Sequence, residues 1–214
     1  MTAVLTAVCT GAAGQLAFAG RHERTAIDKR PRTGRVAVTS LGLDGDEQAD
    51  RRHHGGVDQA LYAYAEEDAT SWAAELGREL PPGRFGENLR VAGLDVSGAL
   101  VGERWALGSQ VEVVVTAPRI PCGTLAGFWD VPDIVERFLA AGRLGAYLRV
   151  QRGGTVAAGD PVVVRSRPSH DVTVAEVARI RTRATGDAAS LVGIDGLAER
   201  VAAWAERRAA ATGG

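Results

Sequence analysis

Glycine sets the limits on how this chain can fold. It supplies 27 of the 214 residues. Up to about residue 165 it punctuates the sequence, at Gly42, Gly45, Gly55-Gly56, Gly93, Gly98, Gly102, Gly108, Gly153-Gly154 and Gly159. Between these breaks lie short β-prone runs at residues 3–10, 35–43, 61–65, 105–107, 110–117, 146–152 and 161–167. Many short strands with closely spaced turn residues belong to a barrel or a sandwich. The strand–helix alternation of a doubly wound sheet is missing. Two helices interrupt the pattern. Residues 66–76 place Ala69, Trp72, Ala73 and Leu76 on one face, and residues 133–141 do the same with Ile134, Val135, Phe138 and Leu139. The expected class is mainly β with helices, an α+β barrel with peripheral helices.

The texture changes after Pro168, which divides the chain into a β-barrel domain (residues 1–168) and a three-helix extension (residues 169–214). Thr173 followed by Glu176 reads as a capping box opening a helix. A short helical piece is expected near residues 188–192, and a third over residues 196–211, with Leu197, Val201 and Trp204 on one side. Forty-odd residues bury too little surface to fold alone, so the extension should dock on the barrel or on a second copy as a homodimer.

A net charge of −1 gives no general attraction for nucleic acid. No apolar run reaches the roughly 18 residues that span a bilayer. The first ten residues lack a charged leader and read as a strand. The two cysteines, Cys9 and Cys122, form no disulfide framework or CxxC motif. A reduced, cytoplasmic protein is the expectation. Lys29 is the only lysine, so an internal aldimine would have to use it.

Three segments could carry chemistry. The first, Arg119-Ile120-Pro121-Cys122-Gly123-Thr124-Leu125, follows a β-branched run, and Pro118 and Pro121 stiffen the strand exit. Cys122 is either a small buried residue or, beside the Arg119 cation, a thiolate available as nucleophile or soft-metal ligand. In the second, Leu43 to Leu61, acids surround His53, His54, Gly55 and Gly56. It is either a solvated loop or an active-site loop. In the latter, the glycine N–H groups could approach an anion and His54 could pass a proton. A zinc set of His53, His54 and Cys122 lacks a standard ligand spacing. The third segment, Arg143 to Arg149, puts Gly145, Tyr147 and Arg149 on one strand face, suited to a planar ring and its phosphate or to plain exposure. Arg84-Phe85-Gly86-Glu87-Asn88-Leu89 reads by itself as a turn.

Taken together, Gly42–Ala49, His54-Gly-Gly-Val-Asp58, Phe85-Gly-Glu-Asn-Leu89 and Pro118-Arg-Ile-Pro-Cys122 resemble, in order and spacing, the MOSC domain of molybdenum-cofactor sulfurases. The closer likeness is to its stand-alone bacterial YiiM-type branch. The resemblance implies a β-barrel, the pterin-based molybdenum cofactor and Cys122 as thiolate ligand of the metal. It also implies a reductase that removes oxygen from N-hydroxylated small molecules of the hydroxylaminopurine or amidoxime type. His54 and Glu87 are then the candidates for proton delivery, and Gly55, Gly56, Asn88, Arg119 and Arg149 for holding the cofactor. An electron-donor reductase protein would be the partner, since the chain has no iron–sulfur cysteine set. Relatives proposed as sulfur carriers supply the alternative, a Cys122 persulfide that donates sulfur without molybdenum. The family's link to pyridoxal phosphate through sulfurase fusions lacks its aminotransferase domain here, and a cofactor-free ligand-binding barrel is the remaining reading.

Overall fold

The computed structural model describes residues 2–18, 21–49, 55–183 and 187–212. Its strands are, in chain order, β1 (Ala3–Thr10), β2 (Gly14–Phe18), β3 (Arg21–Thr25), β4 (Arg30–Pro31), β5 (Val36–Thr39), β6 (Gly42–Leu43), β7 (Leu61–Ala65), β8 (Leu89–Ala92), β9 (Arg104–Leu107), β10 (Val111–Pro118), β11 (Ala146–Arg152), β12 (Gly154–Val156) and β13 (Pro161–Ser166). Its helices are α1 (Glu66–Leu76), α2 (Gly123–Trp129), α3 (Ile134–Ala141), α4 (Val174–Arg183) and α5 (Glu199–Thr212).

Seven strands close on themselves in the order β13-β9-β10-β11-β7-β8-β1, with β1 returning to β13 through Ala3 opposite Val162. Closure removes the sheet edges that would otherwise template aggregation. All these pairings are antiparallel except β7 with β8. That pair is parallel, so the chain must cross over between the two strands, and α1 is the crossover. One strand–helix–strand unit is thus built into a barrel whose spacing shows no strand–helix alternation overall.

Strand alternation sorts the side chains. Leu61, Ala63 and Ala65 of β7 and Ala146, Leu148 and Val150 of β11 point into the barrel with Leu5, Val8, Leu89, Val113 and Val115. Tyr62, Tyr64 and Tyr147 point outward, into a second core under α1, α2 and α3. There Trp72 stacks on Phe138 with ring centroids 4.6 Å apart, and Tyr64 on Phe85 at 4.0 Å. Gly145 makes this close packing of strands and rings possible. Its φ is +67°, and a Cβ there would lie 2.5 Å from the Ala63 carbonyl oxygen and 2.8 Å from the Tyr62 and Tyr64 rings.

Two pieces have little sequence signal. Residues 14–25 mix polar and apolar side chains without a period, yet form the β2–β3 hairpin, because Phe18 lies over Gly127 of α2. β8 begins at Leu89, immediately after a segment that reads as a turn.

The C-terminal segment docks on the barrel. The Glu176 amide donates to the Thr173 hydroxyl at 3.0 Å, the cap expected from the sequence. Val177, Ile180, Leu191, Leu197 and Val201 bury themselves with Val101 and Ala117. Between α4 and α5, among the described residues, lies one 3-10 turn, Ala188–Leu191. The latch is Asp58. Its Oδ2 accepts the Glu199 amide at 2.8 Å, its Oδ1 accepts Arg149 Nε at 2.7 Å, and its carbonyl accepts the Thr116 hydroxyl at 2.6 Å. Asp58→Ala should lower stability by about 1–3 kcal/mol in urea unfolding and speed hydrogen exchange at the start of α5. Unchanged stability and exchange would show that Asp58 is no latch.

Candidate active site

Cys122 ends the rigid exit from β10. Its backbone is extended (φ −135°, ψ 175°) and it caps α2, its carbonyl accepting the Leu125 amide at 3.0 Å. The helix is held from behind. Leu125 and Trp129 are buried, and Trp129 Nε1 donates to the Arg84 carbonyl at 2.7 Å. The half-buried Cys122 is therefore fixed at the rim of a cavity of about 270 Å³. The barrel's outer face supplies Tyr62, Tyr147, Arg119 and Asn88 to this cavity, and the β3 side supplies Glu23, Arg24, Thr25 and Ile27. The volume sits at the small end of the roughly 300–1,000 Å³ typical of ligand pockets.

Arg119 dominates the electrostatics. It is 6% exposed, its guanidinium lies 6.0 Å from the Tyr62 ring centroid, and its Nη1 has no hydrogen-bond partner among the described residues. Burial alone would pull its pKa down, but Tyr62, Cys122 and Tyr147 outweigh burial and push it up. Arg119 is thus a held cation with a free donor. Burial raises the phenol pKa values of Tyr62 and Tyr147, against the lowering effect of the same guanidinium, so both keep their protons. Tyr62 donates its proton to the Leu144 carbonyl at 2.8 Å, and its ring lies 5.5 Å from that of Tyr147.

The floor is a satisfied polar network. Asn88 accepts the Tyr62 amide at 3.0 Å and donates to Asp46 Oδ2 at 2.8 Å and to the Cys9 carbonyl at 3.3 Å. Asp46 Oδ1 accepts the Gly11 amide at 2.8 Å and pairs with Lys29 Nζ. Asn88 therefore reaches the cavity, as the sequence suggests, but spends its amide on holding the floor. Lys29, ion-paired and buried, is a cation rather than a free amine nucleophile.

The other sequence candidates are placed differently. Glu87 is fully buried and does not line the cavity. Its oxygens accept the Gly83 and Phe85 amides at 2.8 and 2.9 Å and Arg90 Nε at 2.8 Å. A carboxylate so engaged has no route to substrate, so its role is structural. Arg149, on the β11 face, is turned to Asp58 and lies outside the cavity lining. Gly55 lines the cavity, but its N–H donates to Gln59 Oε1 at 2.8 Å and that of Gly56 to Gln48 Oε1 at 3.1 Å, so neither is open to an anion. His53 and His54 lie outside the described residues. Glu23, Tyr62 and the Lys29–Asp46 pair were not legible as cavity residues. Lys29 stood out as the single lysine, whereas Glu23 sits in a stretch with no pattern at all.

Residues 50–163 match the MOSC domain. The chain is 35% identical over 180 residues to the uncharacterized protein YflK of Bacillus subtilis (strain 168), covering 84% of this chain and 80% of YflK. The chain belongs to the MOSC domain family. It is also 38% identical over 160 residues to protein YiiM of Escherichia coli (strain K12), covering 73% of this chain and 70% of YiiM. The crystal structure of YiiM from Geobacillus stearothermophilus superposes with a TM-score of 0.79 at 26% identity, covering 97% of this chain and 99% of that one. A protein of Gibberella moniliformis (strain M3125 / FGSC 7600) named "Reductase" is 31% identical over 164 residues, 75% of this chain but 29% of its own length. The family context associates the MOSC domain with the molybdenum cofactor. The residues of this cavity fit such a group: a buried guanidinium lacks an acceptor, and one soft sulfur stands beside it. Among the described residues no three His, Cys, Asp or Glu side chains converge to hold a metal, so other ligands would have to come with the metal itself.

Two measurements check this geometry. Burial, then the nearby Glu87 charge, push the Cys9 thiol up to about 12, so at pH 8 its thiolate share is on the order of 10⁻⁴. Iodoacetamide should add one group to the folded protein, on Cys122, and modification of Cys9 would contradict the assignment. Glu87→Gln removes the buried carboxylate that pairs with Arg90, leaving only Glu66 at 3.5 Å, and should cost about 3–5 kcal/mol in chemical denaturation. A loss under about 1 kcal/mol would return Glu87 to the list of functional candidates.

Proposed function

We propose that this MOSC protein is a molybdenum-cofactor-dependent reductase of N-hydroxylated small molecules, of the hydroxylaminopurine or amidoxime type, with Cys122 as the metal's protein ligand. The observation that carries the reading is the buried Nη1 of Arg119, a donor without a partner among the described residues, on a side chain that lines the same cavity as Cys122 and suits an anionic or acceptor-rich group. The likeness to YiiM and to a protein named as a reductase supports it.

The reaction takes an N–OH compound, two electrons and two protons to the N–H compound and water. When bound, the molybdenum cofactor supplies the two-electron oxygen-accepting chemistry. The chain supplies the surroundings. The Arg119 cation favours Cys122 as thiolate and leaves Nη1 for an anionic oxygen of the bound group. Lys29 and Asp46 compensate each other at the cavity floor, which leaves Arg119 as the cation open to an anionic group. Tyr147 keeps its proton on Oη, as a donor to the oxygen that leaves as water. Glu87 is excluded from proton delivery by its ion pair. His54, the histidine of the His-Gly-Gly segment that resembles the family's, is the proposed proton carrier. Electrons come from a partner reductase protein, in a reducing cytoplasm where the thiol persists.

The test is the molybdenum and pterin content of protein made in a host that synthesises the cofactor. Wild type should carry near-stoichiometric molybdenum. Cys122→Ala should lose it, and Arg119→Leu should retain about a tenth or less, if one charge-assisted contact to an anion is lost. Arg149→Ala should match wild type, because Arg149 serves Asp58. A metal-free wild type with an extra sulfur atom on Cys122 by intact mass would overturn the proposal in favour of sulfur transfer.

A further inference from the structure

Among the described residues, the charged side chains that line the cavity are Glu23, Arg24, Lys29, Asp46, Glu47 and Arg119. Four of them compensate in pairs, Lys29 with Asp46 and Arg24 with Glu47 at 3.7 Å. Arg119 faces Cys122. Glu23 is left over. It is half-buried on β3, and among the described residues it makes no ion pair. Its Oε1 accepts the Thr124 hydroxyl at 2.5 Å, while Oε2 makes no hydrogen bond among the described residues. Thr124 is the second residue after Cys122, in the first turn of α2. The hydroxyl thus ties a carboxylate that has no cation among the described residues to the helix turn that follows Cys122, in the cavity that both Glu23 and Cys122 line.

We infer that Glu23 recognises the substrate, selecting N-hydroxylated compounds that carry N–H donors next to the N–O bond over oxygenated compounds that offer acceptors alone. An ionised carboxylate can only accept hydrogen bonds. Amidoximes and hydroxylamino heterocycles present N–H groups to it and gain a charge-assisted bond. An N-oxide brings only lone pairs and is repelled, which is discrimination by an unfavourable contact as much as by a favourable one. This inference rests on the reductase reading for the identity of the substrates, but the recognition itself needs only Glu23 and the cavity.

A purely structural role would make the Glu23–Thr124 bond a clasp between the hairpin and α2. Two substitutions separate the roles. Glu23→Gln keeps an acceptor for Thr124 and removes the charge. Thr124→Val removes the clasp and keeps the charge.

Benzamidine, the amidinium product type of such a reduction, is the binding probe, titrated by calorimetry into wild type and both variants with molybdenum content recorded. Benzamidoxime and pyridine N-oxide are the kinetic pair for molybdenum-loaded protein. Glu23→Gln should weaken benzamidine binding about ten- to hundredfold. It should raise KM for benzamidoxime with kcat within about twofold, and lower KM for pyridine N-oxide as the repulsion is relieved. Thr124→Val should weaken benzamidine by no more than about fivefold. Wild-type benzamidine affinity in Glu23→Gln, or equal losses for both oxygenated substrates, would overturn the inference. Glu23-dependent benzamidine binding in a wild type that holds no molybdenum would overturn the reductase reading and leave the role of Glu23 standing.

Discussion

The Glu87–Arg90 pair, with both side chains out of water, is the interaction on which this site is built. Breaking such a pair is costly because it strands a buried charge, so the local backbone is committed to it. Glu87 gathers the Gly83 and Phe85 amides, which sets the loop that leads into β8. Phe85 then stacks on Tyr64 and meets Trp129 edge-on at 4.8 Å, which seats α2 and with it Cys122. Asn88, next in sequence, ties Tyr62, Cys9 and Asp46 together beneath the cavity. A residue that resembles a catalytic acid thus acts by positioning the loop before β8 and, through Phe85, the helix that carries Cys122.

The cavity sits outside the barrel, not in its lumen. Interior positions are filled by leucine, valine and alanine, as expected for a small closed barrel. The outward tyrosines of β7 and β11, the exit from β10 and the β2–β3 hairpin make the walls. Among the described residues, this arrangement leaves two opposite charges without full partners: Arg119, which lacks an acceptor for Nη1, and Glu23, which lacks a cation. Buried or half-buried charges of this kind destabilise a fold unless something completes them. Their placement on either side of one cavity is the physical ground for a bound anionic group and a donor-bearing substrate.

Much of the barrel was legible because its signals are local. The runs at 61–65 and 146–152 alternate small and large residues, and the 66–76 helix carries a plain apolar face. The capping box at Thr173 and Glu176 shows in the sequence and holds in the structure. Cys122 and Arg119 were legible from the proline-framed strand exit. What was hidden depends on contacts distant in sequence. The β2–β3 hairpin has no period and forms only against α2, so Glu23 could not be placed. The parallel β7–β8 pair is a matter of topology, which propensity does not encode. Glu87, Arg149, Gly55 and Gly56 have the chemistry of functional groups, and only their partners, Arg90, Asp58, Gln59 and Gln48, reveal that this chemistry is already used within the fold.

The most direct test of the account is a single turnover. Molybdenum-loaded protein would be chemically reduced, freed of excess reductant and mixed with benzamidoxime, and the benzamidine formed would be counted by mass spectrometry. One benzamidine per molybdenum, with none from Cys122→Ala, is the outcome that the account requires. No benzamidine from molybdenum-replete, fully reduced wild type would contradict it.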